Sequence, residues 1–262
     1  MIFKLIATLV FLYILLCGIL FLFQKRFIFY PTQLPDHYPF TEFKHAEEQH
    51  FASTSGNQLH ALWFAATQPK AIVLYFHGNA GGLEKWGYAA ADFTRRGYAV
   101  LIPDYPTYGK SKGILSEANL HEDAIYLYDH LQKQYPNLPI IVYGRSLGTG
   151  IASKLASKRN PKQLILETPY FNLLEMAKLQ LNFLPLQSLM LFQLRSDLSL
   201  PKVKCPIHIF HGTKDELIPY AQAVQLAKLA TQDDILTTIE GGGHNDLGRF
   251  AEFQRQLDVL LR

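Results

Sequence analysis

Short apolar runs alternate with longer amphipathic segments along most of the chain. The apolar runs lie at residues 71–76, 99–102, 140–143, 163–166, 207–210 and 235–239. Amphipathic segments follow at 84–95, 116–134, 147–157, 220–229 and 247–261. In residues 116–134 leucine and alanine recur at three- and four-residue steps, which is the spacing of a buried helix face. The alternation predicts an α/β fold, with a mostly parallel sheet covered by helices on both faces.

Two further segments, at 45–52 and 58–65, have the pattern of an antiparallel strand pair and bring the predicted sheet to eight strands. The chain has 262 residues, of which 48% are hydrophobic, and no internal repeat or polar linker after Pro31. We therefore expect one globular domain over residues 27–262.

The N-terminal segment has a different pattern. Residues 5–23 carry no charge, and Lys25 and Arg26 follow. As a helix they would extend about 28 Å, close to the thickness of a bilayer's hydrocarbon core. We interpret residues 1–26 as a single-pass membrane anchor, in preference to a cleaved signal peptide or a lipoprotein signal at Cys17. Positive charge flanks both ends of the run, so the sequence favours neither orientation.

Composition and cysteine content exclude several function classes. The formal net charge is +3, from 25 basic and 22 acidic residues without a basic cluster, so no nucleic-acid partner is expected. Cys17 and Cys205 are too differently placed to suggest a disulfide bond. His45 and His50 lack the four-residue spacing of a helical metal motif, and we expect no metal and no cofactor.

The strongest chemical signal is the segment 143–148, which reads Tyr-Gly-Arg-Ser-Leu-Gly after an apolar run. A serine at a sharp strand-to-helix turn needs small residues two positions before and after it, and Gly144 and Gly148 occupy those positions. The pattern favours Ser146 as a nucleophile, although serine is also a common helix N-cap.

A serine nucleophile needs an imidazole base and a carboxylate that orients the imidazole. Of the ten histidines, only His244 follows both Ser146 and an acidic loop after a predicted strand, so we expect His244 to be the base. We favour Asp215 as the acid because it lies in a loop after a strand, with Glu167 as the alternative. Asp197 lies in an irregular segment, and Asp233 and Asp234 precede a strand.

Attack on a carbonyl also requires donors for the resulting oxyanion. The backbone N–H of Leu147, directly after the serine, is one expected donor. The glycine-rich loop 77–82 is expected to supply the second through the backbone N–H of Asn79, with His77 orienting the loop.

These motifs resemble the α/β-hydrolase superfamily from about residue 27 to the C-terminus. Within it, the chain looks most like small membrane-anchored serine hydrolases related to fungal bud-emergence-type proteins and protein depalmitoylases. The matching segments are 27–32, 76–82, 143–150, 206–219 and 241–246. The resemblance implies an α/β-hydrolase fold with Ser146 as nucleophile, Asp215 as acid and His244 as base. Pro106 and Thr107 depart from the Arg-Gly that such relatives usually have.

A leucine-rich insert at about 170–200 is expected to form a short helical lid. Most of its leucines are expected to pack a helix pair onto the sheet, and some to line an acyl-chain groove. Residues 24–30 would hold the domain within about 25 Å of the membrane even when extended. We therefore hypothesise a serine hydrolase that cleaves carboxylic esters or thioesters of lipid-like or lipidated substrates at a membrane, through an acyl-enzyme on Ser146. The alternatives are a noncatalytic hydrolase-fold binding protein and a serine peptidase.

Overall fold

The computed structural model describes residues 1–230 and 235–262. Within them the strands form one eight-stranded sheet in the order β1-β2-β4-β3-β5-β6-β7-β8. The strands are β1 Ala46–Ala52, β2 Gln58–Phe64, β3 Ile72–Phe76, β4 Ala99–Pro103, β5 Ile140–Arg145, β6 Gln163–Glu167, β7 Ile207–Gly212 and β8 Leu236–Ile239. The acids at positions 233 and 234 lie outside the described residues.

Six strands run parallel, and the first two pair antiparallel at one edge. β1 pairs with β2, and β2 with β4, in antiparallel register, whereas β3 to β8 pair in parallel. The residues of β3 and β4 are all buried, because helices cover both faces of a parallel sheet. The expected mostly parallel, eight-stranded α/β fold is therefore confirmed.

Ten α-helices lie in the described part of the chain. They are α1 Ile2–Ile28, α2 Leu83–Trp86, α3 Ala91–Thr94, α4 Glu117–Gln134, α5 Leu147–Ala156, α6 Leu173–Leu181, α7 Leu186–Leu189, α8 Ser196–Ser199, α9 Tyr220–Ala227 and α10 Ala251–Leu260. The core has two layers, one on each side of the sheet. α4 and α5 pack into the first layer, and α3 and α10 pack into the second.

Two predicted helices are interrupted. Residues 84–95 form α2, a 3₁₀ turn at Gly87–Ala90, and α3. A Cβ at Gly87 would lie 2.5 Å from the Phe43 ring, so this turn approaches its neighbour more closely than another residue would allow. Residues 247–261 likewise begin with the 3₁₀ turn Leu247–Arg249 before α10. The helical spacing marked the buried face correctly, but local packing changed the backbone geometry.

The N-terminal helix α1 is long and apolar enough to cross a membrane, and its apolar side chains are largely exposed. It continues to Ile28, two residues beyond the expected anchor boundary, so the first part of segment 24–30 is helical. Gln24 is buried there. Its side chain donates to the Leu189 carbonyl at 3.2 Å and accepts from the Leu191 N–H at 2.8 Å.

The insert at 170–200 is helical, and part of it packs on α1. Leu174, Leu184 and Leu186 form a separate buried cluster that Cys17 and Leu20 of α1 extend. Other insert side chains, such as Phe192 and Leu194, join the main core. The prediction that most insert leucines pack onto the sheet therefore holds for one part of the insert, while the rest contacts the N-terminal helix.

Candidate active site

Ser146 lies between β5 and α5 in a strained backbone conformation. Its φ of 49° and ψ of −116° are unusual for a residue with a side chain. A Cβ at Gly148 would lie 2.1 Å from the Phe76 carbonyl oxygen, and one at Gly144 would lie 2.6 Å from the Gly148 carbonyl oxygen. Both flanking positions therefore require glycine, for the steric reason that the sequence pattern implied.

The structure brings together the three side chains that the sequence singled out. His244 Nε2 lies 2.9 Å from Ser146 Oγ, and His244 Nδ1 lies 2.8 Å from Asp215 Oδ2. Ser146 follows β5, Asp215 follows β7 and His244 follows β8. Parallel strands end at the same edge of the sheet, so side chains that are far apart in sequence meet there.

Asp215 is held in its charged form by several donors. One carboxylate oxygen accepts from the backbone N–H groups of Leu217 at 2.9 Å and Ile218 at 2.8 Å. Burial alone would raise the pKa of this carboxyl. Contacts with His211 and His244 and the Ile218 N–H outweigh burial and hold the pKa of Asp215 well below its usual range. The carboxylate can therefore stabilise a positive charge on His244.

The loop after β3 approaches the serine closely. A Cβ at Gly78 would lie 3.6 Å from Ser146 Cβ. Within the described residues, the backbone N–H groups of Asn79 and Leu147 have no hydrogen-bond acceptor, so they are free to donate to an oxyanion. The Asn79 side chain donates to the Ile28 carbonyl at 2.5 Å and accepts from the Tyr108 hydroxyl at 2.7 Å. These bonds hold Asn79 in place, and its backbone N–H is the oxyanion donor expected from the sequence.

His77 is fully buried at the start of this loop. Its Nδ1 lies 2.7 Å from the Gly78 carbonyl oxygen and its Nε2 lies 3.3 Å from Asp104 Oδ1. Tyr105 donates to the His77 carbonyl at 2.6 Å. His77 therefore contacts the loop backbone and Asp104, as a loop-orienting residue would.

Glu167, the alternative acid, is bound elsewhere. It accepts from the Tyr143 hydroxyl at 2.6 Å and lies 3.2 Å from Arg145 Nε. Burial and the Glu167 carboxylate raise the pKa of Tyr143, so this hydroxyl stays neutral and donates. Glu167 thus neutralises Arg145, and Asp215 is the carboxylate that contacts His244.

Arg145 is a residue whose position the sequence did not suggest. Its guanidinium lies over the Trp86 ring at 5.2 Å and donates to the His244 carbonyl at 3.4 Å. Arg145 therefore connects the serine turn to the loop that carries the histidine. The one signal in the sequence was its position: a charged residue directly before the serine ends a buried strand, so its side chain would be partly buried and would need a partner.

One cluster in the described residues has the composition of a metal site. The ligand atoms of Glu48, His50 and His60 lie within 4.8 Å of one another. However, Lys110 Nζ lies 2.5 Å from the same Glu48 oxygen that contacts His60. This ammonium already compensates the carboxylate and would repel a cation, so we assign no metal to the cluster.

A family model described as "Serine aminopeptidase, S33" matches residues 67–197, which is half of the chain. The chain belongs to this α/β-hydrolase family. The matched part of the hydrolase includes the loop after β3 and the Ser146 turn. This family assignment agrees with the resemblance found in the sequence.

The hydrolase is similar to lipase relatives over part of their length. It is 31% identical to the lysophosphatidylserine lipase ABHD12 of Danio rerio over 193 residues, which cover 66% of this chain and 50% of the relative. The hydrolase thus spans about half the length of that lipase. It is also 29% identical to an uncharacterized protein of Mycobacterium tuberculosis, covering 85% of this chain and 81% of that one.

Solved esterase structures share the fold. The Pyrococcus furiosus esterase Pf2001 superposes with a TM-score of 0.71 at 15% identity, over 89% of this chain and 96% of that one. Est1E from Butyrivibrio proteoclasticus gives a TM-score of 0.66 at 19% identity, over 82% and 97% of the two chains. At these identities the esterase structures show that the chain shares the α/β-hydrolase fold, whereas the family match places it among the serine hydrolases.

Proposed function

We propose that this hydrolase cleaves carboxylic esters or thioesters through an acyl-enzyme on Ser146. The observation that carries the proposal is the continuous contact from Ser146 Oγ to His244 Nε2 and from His244 Nδ1 to Asp215. A hydroxyl is a weak nucleophile, and an adjacent imidazole that takes its proton makes it competent. The strained turn that presents Ser146 supports the same role.

The proposed reaction has two steps. In the first, Ser146 Oγ attacks the acyl carbonyl carbon while His244 Nε2 takes the hydroxyl proton and returns it to the departing alcohol or thiol. In the second, water attacks the acyl-enzyme, His244 takes a proton from the water, and the acid product leaves as Ser146 regains its proton. The backbone N–H groups of Leu147 and Asn79 stabilise the oxyanion in both steps. The chemistry requires no cofactor.

We further propose that the substrate is lipid-like. An apolar cavity of about 90 Å³ lies between α1 and the lid, lined by residues that include Leu20, Leu181 and Met190. Leu179, Phe183 and Leu191 of the lid are each more than half exposed. The name of the Danio rerio relative, a lysophosphatidylserine lipase, supports a lipid substrate of this kind.

The membrane is the proposed location of the reaction. We infer that residues 1–26 form a single-pass anchor and that residues 27–262 form the hydrolase domain, with the lid at about 170–200. The exposed apolar surface of α1 and its contacts with the lid support this division. A lipid-facing lid beside the anchor would receive acyl chains directly from the bilayer.

Two measurements test the proposal. The purified full-length protein should react with a fluorophosphonate probe, and Ser146→Ala should abolish the labelling. A noncatalytic binding protein would not label in either form. In a series of acyl esters of increasing chain length, kcat/KM should rise with length. Equal rates for short and long chains would refute the lipid-like substrate but leave the serine hydrolase in place.

A second candidate function is peptide hydrolysis, because the description of the matching family names a serine aminopeptidase. Aminoacyl amides and acyl esters should therefore be compared on one protein sample. Faster cleavage of the amides would favour the peptidase function.

A further inference from the structure

A cavity of about 410 Å³ lies beside the proposed triad, on the sheet face opposite α5. Tyr75, Tyr143, Phe93 and Phe253 line it and belong to the core layer of α3 and α10. α5, which carries the serine turn, packs into the other layer. This volume lies within the range of small-molecule sites in proteins, and the proposed steps of hydrolysis make no use of the cavity.

The cavity adjoins the reacting groups through two residues. Arg145 precedes Ser146 and Asn245 follows His244, and both line the cavity. Trp86 also lines the cavity, and a Cβ at Gly78 would lie 2.7 Å from its ring. The cavity wall and the proposed oxyanion loop are therefore in direct contact.

The charges that line the cavity are not balanced within the protein. Its acids are engaged by protein donors. Asp92 pairs with Arg95 at 2.6 Å, Glu167 with Arg145, and Asp246 accepts from the Gly243 N–H at 2.7 Å.

In contrast, two of its cations have no ion-pair partner among the described residues, namely Lys85 and Arg249. Both are exposed at the cavity while Arg145 is partly buried. Among the three acids only Asp246 has no cation partner in the described part of the chain, so the two unpaired cations leave the cavity with an excess of positive charge.

We propose that this cavity binds an anionic group, a phosphate or carboxylate, on the part of the substrate that leaves when the ester is cleaved. Lys85 and Arg249 supply the charge, and Trp86 supplies a flat apolar wall. The acyl chain would lie instead against exposed apolar side chains of the lid such as Leu179, Phe183 and Leu191. The inference rests on the proposed hydrolase function and specifies its substrate as a lipid with an anionic head group.

The test compares two substrates that share an acyl chain and differ in charge, oleoyl lysophosphatidic acid and mono-oleoyl glycerol. We compare the ratio of their kcat/KM values for the full-length protein, Lys85→Gln and Arg249→Gln. Loss of one exposed ionic contact should lower the ratio about fivefold in each variant. Lys133→Gln, which removes an exposed cation on α4 away from the cavity, is the matched control and should keep the wild-type ratio. An unchanged ratio, or equal losses on both substrates, would overturn the inference.

A binding measurement separates this inference from the proposed function. The fluorescence of Ser146→Ala is titrated with each lipid and with inorganic phosphate, because Trp86 lines the cavity whereas Trp63 is buried in β2. Tighter binding of the anionic lipid, weakened by Arg249→Gln, supports the subsite even if wild-type protein hydrolyses neither lipid. Inorganic phosphate that binds as tightly as the anionic lipid, with no preference between the two lipids, would indicate an anion site unrelated to the substrate.

Discussion

Replacing the two candidate acids one at a time should give opposite phenotypes. In Asp215→Asn the amide oxygen can still accept from the Leu217 and Ile218 N–H groups, so the loop is retained. The amide NH₂ then faces His244 Nδ1 in place of the carboxylate oxygen that lies 2.8 Å away. His244 must accept at Nδ1, its proton moves to Nε2, and Nε2 can no longer take the proton of Ser146.

The expected loss follows from this tautomer change. An asparagine in place of the orienting aspartate of a serine triad lowers kcat by about 10⁴, which is a barrier increase of about 5.5 kcal/mol. Glu167→Gln should instead act on stability, because it leaves Arg145 without its partner at 3.2 Å. Breaking a buried ion pair from one side costs about 3 kcal/mol of unfolding free energy. The loss of kcat should be much smaller there, since Glu167 does not contact His244.

The assay is hydrolysis of a p-nitrophenyl ester by the purified full-length variants, with thermal unfolding followed by circular dichroism. Asp129→Asn removes an exposed carboxylate that pairs with Arg159 and is the matched control, expected to change neither quantity appreciably. If Glu167→Gln lost the activity with its fold intact while Asp215→Asn kept it, the assignment of the acid would be reversed.

Three further substitutions test other parts of the structure. Burial lowers the pKa of His208 from 6.5 to about 4. Between these two pH values the unfolded chain therefore binds a proton at His208 that the folded protein does not bind. The stability that this group contributes is present above pH 6.5 and is lost as pH falls towards 4, by about 3 kcal/mol in total. In chemical denaturation, His208→Gln should lose less unfolding free energy than the wild type between pH 6.5 and 4. An unchanged dependence of the unfolding free energy on pH would contradict the prediction. Gly148→Ala should abolish probe labelling and destabilise the fold because its Cβ meets the Phe76 carbonyl oxygen, whereas Gly248→Ala, with its nearest neighbour at 3.8 Å, should fold normally. Thr107 has a φ of 76°, so Thr107→Gly should raise stability by about 1 kcal/mol, measured as a higher Tm; a lower Tm would show that Thr107 is unstrained.

The sequence predicted the strands well, and the residues that it singled out for the site lie in contact, because the strands and the serine turn follow short-range rules. Buried parallel strands require continuous apolar runs, and the turn at Ser146 requires small residues at fixed positions. The order of serine, acid and histidine then selected His244 and favoured Asp215, which the structure places in contact.

The sequence was less informative where distant segments meet. Arg145 contacts Glu167, Trp86 and the His244 loop, and no local pattern links these positions. The helical extension of α1 to Ile28 was also unexpected, because the contacts that accompany it come from Asn79 and the lid residue Leu191. Such contacts depend on the tertiary packing of segments that are far apart in sequence, and the spacing of residues along the sequence does not predict them.

The contact between Asn79 and Ile28 links the end of α1 to the loop that carries the proposed oxyanion donor. Ile28 ends α1, where a helix leaves carbonyl groups without partners, and the Asn79 side chain satisfies one of them. Nearer the N-terminus of α1, the Tyr13 hydroxyl donates to the Phe183 carbonyl of the lid at 3.1 Å. If α1 spans the membrane, hydrophobic mismatch would tilt it. The tilt would then move the lid and the proposed oxyanion peptide together, so acyl transfer in thin and thick bilayers should proceed at different rates.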